Sequence, residues 1–287
     1  MKKVYVIIIN YKSEDIIQNA INSLNENNLD LQIVILDNES TDESYKTLKT
    51  IKERKVEIIR SEINLGFGGG VNKVFKYIQQ TYKDNEYIFL FNPDAVATDN
   101  LIGNLLNELL INNNVAAISP YVMTMDNVEH FTGATIDWKH CAFKKSPKTL
   151  KTNKIRKMDT FAGCAVLLDS NKFDEVGMFD ESLFIYGEEA FLSKKYINIG
   201  YNILYEPNLI VYHHCGYSVS KPIQIYYQVR NHTYFFKKYK KGYSSFYCRY
   251  RFPLRRLLFY TIHFNPKIIY FILLAIWHAA TNRKGML

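Results

Sequence analysis

The stretch Tyr87-Ile88-Phe89-Leu90-Phe91-Asn92-Pro93-Asp94 is a run of five apolar residues closed by a polar turn. A run this short, with no polar position along it, predicts a strand buried on both faces. Proline cannot continue a hydrogen-bonded ladder, so the strand is predicted to stop at Phe91. Upstream, Val4–Asn10, Leu31–Leu36 and Val56–Arg60 read as further buried strands. Between them, Glu14 to Asn27 carries apolar residues at helical spacing. Ser40-Thr41-Asp42-Glu43 has capping-box spacing, with Ser40 as the predicted cap of a second helix. Gly66 to Gly70 is a glycine-rich turn leading into a helix through Tyr77. Downstream come a helix over Leu101–Ile111 and a strand over Val115–Ser119. An irregular, lysine-bearing region from Tyr121 to Met158 is a hairpin or a mobile loop. A strand over Phe161–Leu168, a helix from Glu188 to Ile199, and short strands at Tyr201–Tyr205 and Leu209–Tyr212 follow. Such alternation predicts an α/β fold, a mostly parallel central sheet with helices on both faces.

In sheets of this kind ligands bind beyond the carboxyl ends of the strands. Those ends carry Asn10-Tyr11, Asp37-Asn38, Arg60 and Asn92-Pro93-Asp94. A carboxylate at Asp94 suits a divalent metal that arrives with a diphosphate, because the phosphates supply the remaining oxygens. A plain turn with Asp94 capping the next helix accounts for the same residues. His213 ends a strand, where a neutral imidazole can ligate metal or serve structure alone. Glu188-Glu189 opens a helix; paired carboxylates suit general-base work, although acidic residues also favour a first helical turn. Asp37 can accept a hydrogen bond from a base or ribose, or simply shape a turn. Asn64 to Asn72 permits close backbone approach to a ligand. It is neither a dinucleotide fingerprint, since Val71 stands where a third glycine would fall, nor a phosphate-binding P-loop.

Charge divides the 287-residue chain. The last acidic residue is Glu206, and 13 of the 36 Lys and Arg lie beyond it. The net +8 is therefore a mildly acidic body with a strongly basic tail, suited to a phosphate-rich partner. Cys141, Cys164, Cys215 and Cys248 are scattered and form no C-x-x-C pair, so a reducing cytoplasm is expected. Lys2-Lys3 before Val4–Ile9 is too short an apolar run for a signal peptide.

The order of these elements matters more than any one of them: Asp37-Asn38-x-Ser40-Thr41-Asp42, Asn64-x-Gly66-Phe67-Gly68, Asn92-Pro93-Asp94, a strand at Gly163, Gly187-Glu188-Glu189, and His213-x-x-Gly216-x-Ser218. As an ordered set it closely resembles the family-2 glycosyltransferases of the GT-A fold, nearest to the bacterial rhamnosyltransferase-like branch that builds surface polysaccharides. Tyr226-Tyr227-x-x-Arg230-Asn231-x-x-Tyr234-Phe235 also looks like that branch. The resemblance implies an inverting, metal-dependent transfer of a sugar, rhamnose first, from a dTDP- or UDP-sugar to a glycan hydroxyl. It implies Asp37, Asn38, Asn64, Gly66, Asn92 and Asp94 as donor-binding residues. Asp94 and His213 become ligands of Mn²⁺ or Mg²⁺, and Glu189 the catalytic base. Arg230 or lysines would assist the phosphates. Two departures stand out: Asn92 where the family motif often has Asp, and Glu189 where it usually has Asp. They leave open a non-catalytic nucleotide-sugar-binding scaffold or the inactive partner of an assembly.

Residues 1–220 are read as the catalytic domain and 221–287 as a basic helical appendage. Eight basic residues from Lys237 to Arg256 interleave with aromatics, ahead of the apolar runs Leu257–Ile262 and Ile268–Trp277. The second run is ten residues and a spanning helix needs about 20, so the appendage is expected to lie on an anionic membrane surface. The expected location is the cytoplasm, peripheral on the inner face of the cell membrane, with a glycan acceptor that is either free or lipid-linked. A dimer interface or a lid on the domain are the other readings. No recognition motif for nucleic acid accompanies the charge. A nucleotidyltransferase would need a glycine-rich loop after the first strand, where Asn10-Tyr11-Lys12-Ser13 has none.

Overall fold

The computed structural model describes residues 2–26, 29–51, 55–83, 86–131, 134–145, 154–214, 219–242 and 245–287. In chain order the elements are β1 (Lys3–Asn10), α1 (Ile17–Ser23), β2 (Asp30–Asn38), α2 (Asp42–Leu48), β3 (Val56–Ser61), α3 (Gly66–Thr81), β4 (Tyr87–Phe91), β5 (Ala95–Ala97), α4 (Leu101–Ile111), β6 (Val115–Thr124) and β7 (Glu129–Phe131). Then come β8 (Ala134–Asp137), β9 (Ala142–Lys145), β10 (Arg156–Lys157), β11 (Ala165–Asp169), α5 (Ser170–Glu175), α6 (Glu188–Asn198), β12 (Asn202–His213), α7 (Lys221–Tyr239), α8 (Ser245–Ile262) and α9 (Pro266–Thr281).

The main sheet runs β10-β12-β6-β11-β4-β1-β2-β3. Strands β4, β1, β2 and β3 are mutually parallel, and so are β6 and β12. Between these groups β11 is antiparallel to both β4 and β6. Alternate side chains of one strand feed opposite cores, as the unbroken apolar runs predict. On one face Val4, Val6 and Ile8 pack with Ile17 and Ile21 of α1 and Leu101, Leu105 and Leu109 of α4. On the other, Tyr5 and Ile7 pack with Val71, Phe75 and Ile78 of α3 and with Leu192 of α6.

Four readings change. Phe161–Leu168 becomes strand only from Ala165; Phe161 to Cys164 instead line a cavity. Tyr201–Tyr205 and Leu209–Tyr212 belong to the one strand β12, which keeps β6 as its partner across a register shift between Glu206 and Ile210. Pro207 has no N–H for a ladder there, and Glu206 closes the bulge by accepting from Asn208 N at 2.8 Å. The first helix is shorter than expected, Ile17–Ser23, and Glu26 beyond its end accepts from Ile102 N at 2.6 Å and Gly103 N at 3.1 Å, capping α4. Thr41, not Ser40, caps α2, since its hydroxyl accepts from Ser44 N at 3.2 Å. The irregular region contains β7 and the β8–β9 hairpin, while 146–153 lies outside the described residues.

The basic tail forms three helices. Asn265 caps α9 through Ile268 N, and Pro266 opens it. Helix α7 is largely buried, packing Ile225, Tyr226 and Tyr227 on Ile268 and Ile272 of α9, and Phe235 and Phe236 on the β8–β9 hairpin. Among the described residues no helix is long and apolar enough to cross a membrane.

Candidate active site

A cavity of about 900 Å³ opens at the carboxyl ends of β1 and β4, where the connecting loops converge. Asn38, Asn64, Gly66, Asn92, Asp94, Glu189 and His213 line it together, although they come from five separate segments. Asp37 does not line it.

The centre is the pair Asp94 and His213. Short strand β5 begins immediately after Asp94 and pairs antiparallel with the end of β12, placing Ala95 opposite His213. The backbone is tied again where His214 N donates to Asp94 O at 3.1 Å. This sets Asp94 Oδ1 3.0 Å from His213 Nε2, with both side chains about nine-tenths buried. Asn92 Nδ2 lies 3.1 Å from the same nitrogen. One imidazole nitrogen cannot both donate to the carboxylate and accept from the amide. A hard divalent cation would resolve the conflict, taking a lone pair from Nε2 and one from Asp94. Ligands about 2.1 Å from a metal on adjacent octahedral vertices sit about 3 Å apart, so the donor set fits. Among the described residues no group of three or more His, Cys, Asp or Glu could hold a metal alone. Two protein ligands suit a cation whose other positions are filled by phosphate and water.

Elsewhere in the lining, Glu188 and Glu189 open α6, with the αL residue Gly187 as N-cap. Gly163 makes room for the second carboxylate: a Cβ there would stand 2.5 Å from Glu189 Oε1. Burial pushes the Glu189 carboxyl above the usual range, while backbone N–H groups, including those of Gly187 and Gly163, pull it partly back. Glu188 is 2% exposed, and Oε2 has no hydrogen-bond partner. Burial, then the neighbouring Glu189, raises it well above the ordinary value. Tyr186, facing both carboxylates, is pushed up to about 12 by burial and by their charge.

A raised folded-state value makes ionisation of Glu188 oppose folding. Its contribution is fully present below the unfolded carboxylate value and is lost as pH rises through the higher folded one. Glu188→Gln is therefore expected to raise the Tm at pH 8 more than at pH 5, by roughly 2–4 °C for each kcal/mol relieved. Thermal melts at the two pH values check this, and a shift independent of pH would contradict it.

The remaining predicted residues divide by role. Asn38 accepts from Leu65 N at 2.9 Å and donates to Asn64 Oδ1 at 3.1 Å, and Asn64 Oδ1 accepts from Gly66 N at 2.9 Å. Their polar groups thus shape the glycine turn. Gly66 has φ +70°, and a Cβ there would meet Phe184 O at 2.1 Å, so no other residue fits. Asp37 is fully buried beside the cavity; neither carboxylate oxygen has a hydrogen-bond donor, and Arg60 Nε stands 3.3 Å away. Arg230 is not available to phosphates. It is 1% exposed, donates to Leu183 O and Gly285 O at 2.7 Å each, and packs over Tyr227 at 4.8 Å. Gly216 and Ser218 lie outside the described residues. Sequence reasoning passed over Tyr11, Tyr186 and Gln228 as site residues, although all three line the cavity. Only Tyr11, just past the end of β1, carries a local signal.

Residues 5–171 match the family model described as glycosyl transferase family 2. The chain belongs to that family. A curated relative, the low-salt glycan biosynthesis hexosyltransferase Agl10 of Haloferax volcanii, is 24% identical over 189 residues, 64% of this chain. The aligned part spans 58% of that relative. Among solved structures, GalNAc-T7 with UDP, GalNAc and Mn²⁺ superposes with a TM-score of 0.64 at 18% identity, over 80% of this chain and 47% of that one. The mannosyltransferase PcManGT of Pyrobaculum calidifontis, in complex with GDP-Man and Mn²⁺, gives 0.57 at 14%, over 99% and 76%. TarS of S. aureus gives 0.57 at 14%, over 84% and 41%. These likenesses show the fold: the family-2 chain has a GT-A architecture, a mixed α/β domain around a mostly parallel sheet. By family it is a glycosyltransferase.

Proposed function

We propose that this glycosyltransferase moves a sugar from a nucleoside-diphosphate donor to a glycan hydroxyl, with inversion and with a divalent metal. The observation that carries the reading is Asp94 Oδ1 and His213 Nε2 meeting at 3.0 Å across a cavity that also holds Glu189. Asp94 and His213 would hold Mn²⁺ or Mg²⁺. When bound, the cation neutralises the charge that grows on the departing diphosphate. Asn38 would face the nucleoside, with Asp37 buried behind it and ion-paired to Arg60 as a contact reached only if the wall opens, and Asn64 and Gly66 would keep the nearby turn open to the ligand. Asn92 would bond a donor hydroxyl without adding charge. The Glu189 carboxylate would take the proton of the acceptor hydroxyl as it attacks, since an alcohol is a poor nucleophile until that proton leaves. Attack on the face opposite the diphosphate inverts the anomeric centre.

Rhamnose from a dTDP donor is the first candidate sugar. A thermal-shift screen of dTDP-, UDP- and GDP-sugars with Mn²⁺ or Mg²⁺ tests the donor, because ligand binding to the native state raises its stability. Following donor hydrolysis and transfer on the best donor separates an enzyme from a binding scaffold.

The acceptor we place on a membrane, with the protein in the cytoplasm on the inner face. Helices α8 and α9 expose apolar stripes, Leu254, Leu258 and Ile262 on one and Tyr270, Leu273 and Trp277 on the other, with Phe264 91% exposed in their turn. Arg255 and Lys267 flank them in solvent, and no Asp or Glu follows Glu206. Pairing two copies through this face would oppose like charges, whereas anionic lipid complements them. Each basic residue contributes about 1 kcal/mol at such a surface, so Arg255→Gln with Lys267→Gln is expected to weaken partitioning about 30-fold. Co-sedimentation with phosphatidylglycerol vesicles reads this. Equal binding to neutral vesicles, or a concentration-dependent dimer with no vesicle binding, would contradict it.

A further inference from the structure

The Arg230-Asn231 pair, prominent in the sequence, has no role in the transfer as described. Its surroundings give it one. The segment that leads into α6 is contorted: Phe184 has φ 68° and ψ −66°, Tyr186 has φ 65°, and Gly187 has φ 93°. Such conformations persist in non-glycine residues only where the surroundings hold them. Every carbonyl from 183 to 186 is held from outside the segment. Leu183 O accepts from Arg230 at 2.7 Å and Asn231 at 3.1 Å. Phe184 O accepts from Phe67 N at 2.9 Å. Ile185 O and Tyr186 O accept from Asn231 Nδ2 at 3.0 and 2.7 Å.

A single amide nitrogen thus bonds three carbonyls of one turn, sharing its two hydrogens among them. Asn231 is 1% exposed, and its own Oδ1 is occupied by Arg230 Nε at 3.0 Å, which orients the amide with its nitrogen toward the turn. Arg230 is anchored in turn by Gly285 O. The turn ends at Gly187, the N-cap of α6, and Glu189 is the second residue of that helix, seated against Gly163.

We propose that Asn231 is a positioning residue for transfer: its amide fixes the turn 183–186 and thereby the placement of Glu189. It touches no reacting atom and acts through α6. This rests on Glu189 being the base. An aspartate in its place would turn acceptor oxygens toward three carbonyls, and a serine would supply one donor for three. Misplacing a catalytic group by about 1 Å costs on the order of 100-fold.

The test compares Asn231→Ala, Asn231→Gln and Glu189→Gln with the parent chain. Each is assayed for kcat, for donor affinity with Mn²⁺, and for the pH profile of kcat. Asn231→Ala is expected to lower kcat roughly 10- to 100-fold with donor affinity within about twofold. Its acid limb is expected to move upward, because the Gly187 N–H no longer favours ionised Glu189. If Asn231→Ala does not fold, Asn231→Gln, which keeps the donors on a longer arm, is expected to show the same split. Full kcat in either folded variant, or equal loss of kcat and donor affinity with an unmoved pH profile, overturns the proposal. Unimpaired turnover by Glu189→Gln instead overturns the base assignment on which it rests.

Discussion

Asp94→Ala is expected to lower transfer by roughly a thousandfold while leaving the protein folded. The side chain is one of the two protein groups proposed to hold the cation, and His213 alone would be a weak anchor. Lewis-acid stabilisation of a leaving phosphate contributes several kcal/mol, and about 4 kcal/mol corresponds to a thousandfold in rate. The fold should survive because the backbone at 94 is held independently of the carboxylate, by the β5–β12 ladder and by His214 N. Initial rates across a Mn²⁺ titration, with circular dichroism as the control, measure it. Full activity of the variant in a chelator would remove Asp94 and the metal from the mechanism together.

Glu189→Gln is expected to bind donor normally and to lose transfer by about 10²- to 10⁴-fold, the usual worth of a general base. Glutamine preserves the volume against Gly163, so steric displacement is not the cause of the loss. The pH profile carries more information than the rate. Glu189 must be ionised to accept a proton, and burial holds its pKa above the ordinary carboxylate range. Activity of the parent chain should therefore rise with pH through that elevated value, and this limb should vanish from the residual activity of the variant. A limb that persists unchanged would assign it to another group.

The sheet was legible in the sequence wherever both faces of a strand are buried. Val4 to Ile9 and Tyr87 to Phe91 are apolar at every position because helices cover both sides. Strand direction was not legible. Nothing within Ala165 to Asp169 says that it runs against its neighbours, since that depends on where the chain crosses over, not on side chains. Phe161 to Cys164 are as apolar as a strand yet line a cavity, and a hydrophobic residue facing a ligand looks like one facing a core. Asp94, His213 and Glu189 were found through their order along the chain, and the cavity does bring them together. Arg230 was misread because a lone guanidinium suggests phosphate. Besides the adjacent Asn231, its partners are tyrosine rings three and four residues away and carbonyls 47 and 55 residues away, and no local pattern marks the distant ones.

The proximity of Asn92 and His213, 121 residues apart in the chain, bears on how the protein comes into being. A growing chain that has emerged through β11 already holds β4 and most of the sheet, but Asp94 still lacks its partner His213. The pair is completed when β12 adds beside β6 and β5 zips onto its end, after a long loop closure of the slow kind. The half-built sheet would meanwhile present β6 as a bare edge, open to pairing with other chains. If the proposed site is correct, binding of a metal-loaded nucleotide would report the last step of folding as well as catalytic competence.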